Sequence, residues 1–287
     1  MRAFDRKTGR VVEVAEPGSG AVRFLYGNPP GRFLLLFLCG KRFSGCRARY
    51  YASPRSRGKV EALFRACDLS GEAQGPSAYA SFRDFFVRPP DWGERPLPEE
   101  AGALLAVADA KLTAYEIEPD TRITVKQSSL TAAELLRDAD AAAQFAGGYA
   151  LVFRLTLENN HHYVFPDGGA LVKTYDIPGW LHSVQPTTGR QGRVFAENSR
   201  KASLLETEHF GPVAQVEVGA LLAGRIHDLG KRAFRRGEEK GYFDLGGSAI
   251  VLLLGKGAAA IDADILEQSG RGVETLVRMN ERIGVAA

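Results

Sequence analysis

The sequence holds no apolar run long enough to cross a bilayer. Its most apolar stretch, residues 33–39, FLLLFLC, is about a third of the length a transmembrane helix needs. Residues 1–20 mix charges with Gly and Pro and hold no apolar run, unlike a secretory signal. Cysteine is scarce. Cys39, Cys46 and Cys67 leave one over in any pairing and lack the spacing of a paired zinc knuckle. This excludes a disulfide framework and fits a reducing compartment. A net charge of +3 on 287 residues is too small to imply nucleic-acid binding. There is no HExxH, no P-loop and no GxGxxG between a strand and a helix. GxSxG is also missing, which argues against the common hydrolase elbow. His161 and His162 are adjacent, so on a strand they face opposite ways and do not readily chelate one ion. No metal site is expected.

What is present comes in two styles. Residues 20 to about 88 read as helical. In KVEALFRAC, 59–67, Val60, Leu63, Phe64 and Cys67 recur on one helical face. Ser81 caps SFRDFF, and Arg88-Pro89-Pro90 stops it. From about residue 104 the chain reads as short strands at 104–108, 112–118, 149–157, 162–165, 170–175, 193–197, 213–219 and 249–254, punctuated by Gly and Pro pairs. Helices are expected at 131–144, where Thr131 and Glu134 have capping-box spacing, and at 261–282. The expected class is α+β: a helical, basic and apolar segment, 1–95, on a β-rich core, 96–287. Arg32, Lys41, Arg42, Arg47, Arg49, Arg55, Arg57, Lys59 and Arg65 surround the apolar run, with Glu61 the lone acid among them. Two readings of this region stand side by side, a buried helical turn and an anchor at an anionic membrane surface.

Chemistry concentrates at Gly246-Gly247-Ser248, just before AIVLLL. Gly-Gly-Ser is ordinarily a turn. Here the glycines leave the Gly247 carbonyl uncrowded and open unusual backbone angles, while the following strand would hold Ser248 rigidly. Those are the needs of a serine that attacks the peptide bond before it.

The segment KGYFDLGGSAIVLLL, 240–254, resembles the processing segment of the phosphatidylserine decarboxylases. Other blocks agree in order: SFRDFFVRP (81–89), VADAKL (107–112), LTLENNHHYVFPDGGAL (155–171), IPGWLHSVQP (177–186), VFAENSRK (194–201) and FGPVAQVEVGALLAGRI (210–226). The similarity covers about residues 25–255. It implies a proenzyme that cleaves itself at Gly247–Ser248 into a β chain, 1–247, and an α chain, 248–287, which stay associated. Ser248 would become a covalent pyruvoyl group. By the same resemblance His161, oriented by Asp109, is the base, with His162 as the alternative. Arg88 and His162 are candidate substrate-binding residues. The implied reaction is decarboxylation of phosphatidylserine to phosphatidylethanolamine by a carboxy-lyase attached peripherally to the membrane at its cytoplasmic face. A ketone beside an amide can accept the electrons left when CO2 departs, and the sequence offers no other cofactor motif.

The chain departs from the family at five places, one of them His162, which stands where the family has arginine. Ala110 follows Asp109 where Gly is usual. Asn159-Asn160 replaces Asp-Tyr. Val164 takes the place of the family's second histidine. Ala249 follows the nucleophile. Two alternatives therefore stay open: a non-processing, lipid-binding homologue, and a soluble pyruvoyl-dependent amino-acid decarboxylase. A homo-oligomer is compatible with the decarboxylase reading and with both alternatives.

Overall fold

The run AIVLLL owes its unbroken apolar character to its place in the fold. It forms β15 (Ser248–Leu254), which is buried along its whole length. A strand covered on both faces alternates between two cores rather than between core and water. Ile250, Leu252 and Leu254 enter one core, and Ala249, Val251 and Leu253 enter the other.

The computed structural model describes all residues except 18, 39–46, 70–73, 126–127, 186–190, 221–224 and 246–247. Cys39, Cys46, Lys41, Arg42, Gly246 and Gly247 therefore lie outside the described residues. Among those described, the main sheet has ten strands. Their order is β13 (Ala233–Phe234), β9 (Gly169–Ile177), β10 (Arg200–Thr207), β11 (Gly211–Gly219), β15, β7 (Tyr149–Leu155), β4 (Ala110–Glu116), β17 (Glu274–Val277), β1 (Arg2–Asp5) and β2 (Arg10–Glu13). All these pairings are antiparallel except β1 with β17.

Two three-stranded sheets contribute to the core on one face: β12 (Arg225–Asp228), β14 (Glu239–Asp244) and β8 (His162–Val164), then β16 (Ala259–Ile261), β18 (Arg282–Ala286) and β3 (Ala103–Leu105). Residues of helix α9 (Ala263–Gly270) join this core. The opposite core takes side chains from the hairpin β5 (Arg122–Val125) and β6 (Ser128–Thr131), and from α6 (Ala132–Leu136), α7 (Ala139–Ala143) and α8 (Gln191–Glu197).

The N-terminal helices are α1 (Ser19–Gly27), α2 (Pro29–Leu38), α3 (47–51), α4 (Arg57–Cys67) and α5 (Phe82–Phe86). α1 and α2 form a hairpin with its own small core of Val22, Leu25, Tyr26 and Leu35. Their crossing is close because Gly31 has no side chain: a Cβ there would lie 2.2 Å from the Phe24 carbonyl oxygen. The apolar face of α4 packs as its spacing implies, with Val60 and Leu63 buried against Phe82, Phe85, Phe86 and Leu245. Ser81 caps α5 by accepting a hydrogen bond from the Asp84 N–H.

Three expectations need correction. Residues 131–144 form two short helices, because Arg137 adopts a left-handed conformation between them; the Thr131–Glu134 capping box is present. Residues 193–197 are helical, not extended. In 261–282 only α9 is helical. Gly272 turns the chain with a positive φ, and Glu274–Val277 then pairs between β4 and β1. The alternation of buried Thr275 and Val277 with half-buried Glu274 and Leu276 is the strand signature that helix-favouring Glu and Leu obscured.

Candidate active site

Ser248 opens the central strand. Its residue pairs with Gly219 on β11 and with Leu155 on β7. Residues directly opposite one another share a sheet face. The Ser248 side chain therefore faces the layer that holds Leu155, Ile250, Tyr163 and Phe243. His161 stands just before β8, and its carbonyl accepts a hydrogen bond from the Phe243 N–H at 3.0 Å. Both residues are fully buried. Among the described residues, the Ser248 hydroxyl and both His161 ring nitrogens have no hydrogen-bond partner. A buried polar atom left unpaired costs about 1–3 kcal/mol. Three of them on one serine and one histidine are a cost that packing alone does not explain.

The His161 ring stacks on Phe86 at a centroid distance of 3.7 Å. Burial first, and the Arg88 guanidinium second, hold its imidazole well below the ordinary range. The ring is thus neutral at physiological pH, the state that accepts a proton. Arg88 itself is buried. It lies over the Phe85 ring and donates to the Phe85 and Glu158 carbonyls. His162 faces the other way. Its Nδ1 lies 2.6 Å from Glu239 Oε1, and its ring stacks on Tyr242.

Asp109 is not brought to His161 by a hydrogen bond. Both of its oxygens take the Arg95 fork, at 2.8 and 2.7 Å, and one also accepts the Met279 N–H. Val164, at the position of the family's second histidine, is a buried strand residue whose N–H bonds to the Val107 carbonyl. The replaced Asn159 and Asn160 have local work. Asn159 Oδ1 accepts from the Thr156 N–H and hydroxyl, and Asn160 bridges the Arg88 carbonyl and the His162 N–H.

The chain is held on both sides of the serine. Upstream, Arg83 on α5 forks onto Asp244, and Leu245 packs against the phenylalanines of the same helix. Leu245 has φ of 52°. A left-handed leucine costs about 1–2 kcal/mol, so the backbone is strained just before the Gly-Gly-Ser. Downstream, the ladders on β11 and β7 fix Ser248 itself.

Residues inside the blocks that no local motif marks supply the clamps. Asn198 is fully buried. Its amide accepts from the His182 N–H and donates to the carbonyls of His182 and of Gly219, the residue opposite Ser248. Arg200 donates to the Glu134, Leu135, Ala196 and Asn198 carbonyls, fixing α6 and α8. Gly179 lets the 177–185 loop lie on this clamp, since a Cβ would meet the Glu197 carbonyl oxygen at 2.3 Å. Glu217 and Lys240 form a buried ion pair at 2.9 Å. Glu217 shares the Ser248 face, and burial raises its carboxyl despite the Lys240 charge. Each block of the sequence thus meets another near the start of β15.

Known proteins are similar to this chain over almost its whole length. The phosphatidylserine decarboxylase family model matches residues 82–285. Phosphatidylserine decarboxylase proenzyme 2 of Clostridium acetobutylicum is 38% identical over 282 residues, covering 98% of this chain and 97% of that protein. The phosphatidylserine decarboxylase proenzyme of Fusobacterium nucleatum is 33% identical over 291 residues, covering 99% and 97%. That of Desulfitobacterium hafniense is 33% identical over 294 residues, covering 99% and 98%. By the extent of these matches, the chain belongs to the phosphatidylserine decarboxylase family.

Proposed function

We propose that this chain is a phosphatidylserine decarboxylase proenzyme, a carboxy-lyase that cleaves itself between Gly247 and Ser248. The observation that carries the reading is the buried Ser248 hydroxyl at the head of a rigid strand, with a buried, neutral His161 in the same chain, both without side-chain hydrogen-bond partners among the described residues. In this reading His161 takes the hydroxyl proton as Oγ attacks the Gly247 carbonyl. The amide becomes an ester and the Ser248 amine is freed. Loss of the Ser248 Cα proton expels the Gly247 carboxylate. The remaining dehydroalanine takes up water and releases ammonia, which leaves a pyruvoyl group. Asp109, committed to Arg95 and Met279, serves as a brace rather than as the partner of the base.

The residues present fit that group, because the Ser248 hydroxyl has no partner to give up among the described residues. When formed, the group supplies a ketone next to an amide, an electron sink for the carbon that loses CO2. The protein does the rest. The buried layer excludes water, and His161 holds a proton site that is neutral when the substrate arrives. Arg88 and Asn160 fix the loop that carries His161.

A diacyl substrate stays in its bilayer, so the site must reach a membrane surface. Among the described residues, no helix is long and apolar enough to cross one. Support for surface attachment comes from the N-terminal helices. α1 and α2 expose Phe24, Phe33 and Leu34, carry Arg23 and Arg32, and hold no acidic residue. Exposed Arg49, Arg57, Lys59 and Arg65 on α3 and α4, with Arg55 between them, add positive charge. Apolar side chains framed by cations suit the headgroup layer of an anionic membrane.

The test is release of labelled CO2 from carboxyl-labelled phosphatidylserine in vesicles, by the native chain and by Ser248→Ala. CO2 from the native chain alone is expected. Folded, cleaved protein that turns over only soluble serine analogues would remove the lipid substrate. Equal CO2 from both proteins would remove Ser248 from the chemistry.

A further inference from the structure

Trp180 stands out in the site's own architecture. It is 55% exposed, although its own backbone and that of Gly179 are tied down. Gly179 lies against the backbone of residues 197–199. The Trp180 N–H donates to the Glu197 carbonyl, and its own carbonyl accepts the Ser199 N–H. The backbone is therefore fixed while the indole is held out in water. Leaving a large aromatic side chain exposed on a rigid loop forgoes about 1.5–3 kcal/mol of burial, which calls for a partner.

The neighbours of Trp180 say which partner. Its ring lies 6.4 Å from that of His182, which lies 6.1 Å from that of Tyr26 on α1. The Tyr26 hydroxyl meets His182 Nδ1 at 3.2 Å and accepts the Ser183 N–H at 2.9 Å. The loop is thus bolted to the helical hairpin that exposes Phe24, Phe33 and Leu34 and carries Arg23 and Arg32 without an acid. On its other side the loop is bolted, through Asn198, to Gly219 opposite Ser248. The loop that carries Trp180 thus links the apolar, cationic hairpin to the strand opposite the reacting residue. An indole with an apolar body and one N–H donor is suited to the boundary between headgroups and acyl chains.

We propose that Trp180 is a second membrane anchor, which inserts into an anionic phospholipid surface beside the Ser248 site. This rests on the surface-attachment reading above and adds a contact made by the catalytic core itself. Through Asn198 and Gly219, the insertion sets the mouth of the site against the surface from which a lipid headgroup must enter.

The chain has two tryptophans. Trp92→Phe therefore leaves Trp180 as the sole indole, in its native surroundings. That protein is mixed with vesicles of phosphatidylcholine and phosphatidylglycerol in equal parts, with and without bromine on the upper acyl carbons, and binding is measured in parallel by co-sedimentation. The expected result is co-sedimentation, a blue-shifted emission and quenching by the brominated vesicles. Trp180→Ala is expected to bind the same vesicles about tenfold more weakly. It should raise KM for phosphatidylserine in vesicles while leaving kcat on detergent-dispersed, short-chain substrate unchanged. Co-sedimentation without a blue shift or quenching would overturn the proposal while leaving surface attachment intact. Failure to co-sediment would overturn both.

Discussion

Replacing Lys111 with methionine should be among the most destabilising single changes in the core. Lys111 and Arg154 are buried cations on adjacent strands. Lys111 Nζ lies 3.2 Å from Glu16 and 3.5 Å from Glu158. Arg154 lies 2.6 Å from Glu16 and 2.6 Å from Glu274. The cluster joins the segment leading into α1 to the loop that carries His161. Lys111→Met would leave three carboxylates around one guanidinium. Breaking one side of a buried ion pair costs about 3–5 kcal/mol. Here Glu16 keeps Arg154 and Glu158 keeps the Thr156 hydroxyl, so the lower end, about 3 kcal/mol, is expected.

The assay is thermal unfolding in a Ser248→Ala background, where the chain stays in one piece. At about 2 °C per kcal/mol for a chain of this size, the midpoint should fall by about 6 °C. The double variant Glu16→Gln/Lys111→Met should be less destabilised than the sum of the single changes by about 1 kcal/mol or more, because it removes one of the stranded carboxylates. Acid should mimic part of the effect. Burial alone would raise the Glu16 carboxyl, but Arg154 and Lys111 hold it below its ordinary 4.5. Its contribution to stability is therefore full above 4.5 and is lost as the pH falls through the lower folded value. A loss below about 1 kcal/mol, with additive single changes, would refute the reasoning by showing a hydrated cluster.

Two further predictions concern the site. If His161 is the base, self-cleavage of precursor from cell-free translation should be flat with pH near neutrality and should fall only in acid, below the ordinary histidine value of 6.5. Arg88→Met removes a repelling charge and should move that fall to higher pH, whereas Arg88→Lys should not; identical profiles for all three would remove Arg88 from the electrostatics of the base. Gly179→Ala drives a Cβ into the backbone of residues 197–199 and should lower CO2 release about a hundredfold through displacement of the loop; near-native turnover would separate that loop from the site.

The sequence made the centre of the fold readable and hid its cross-links. β15 and β7 announce themselves because apolar residues fill both of their faces. The blocks around Ser248 were visible as blocks, but their work was not. Asn198 and Arg200 act on backbone carbonyls up to 66 residues away, and no local pattern encodes such partners. Asp109 is engaged by Arg95, which sits in a Pro-rich stretch with no periodic signal, so its pairing could not be read from the chain. The strands β1 and β2 are too short and too charged to stand out, and the pairing of β1 with β17 and of β2 with β1 is what makes them strands. Segment 191–197 shows the opposite failure. Val194 and Phe195 favour strand by type, but both are buried on a helix that packs against the second core.

The most direct test of self-cleavage at Ser248 is the intact mass of the purified protein under denaturing conditions. The account predicts two chains. One ends at Gly247, and the other has 40 residues (287 − 247), begins at position 248, is lighter than a serine N-terminus allows and is blocked to Edman degradation. A single full-length mass from well-folded protein would contradict it, and would mean that a chain with Val164 in place of the second histidine folds without processing itself.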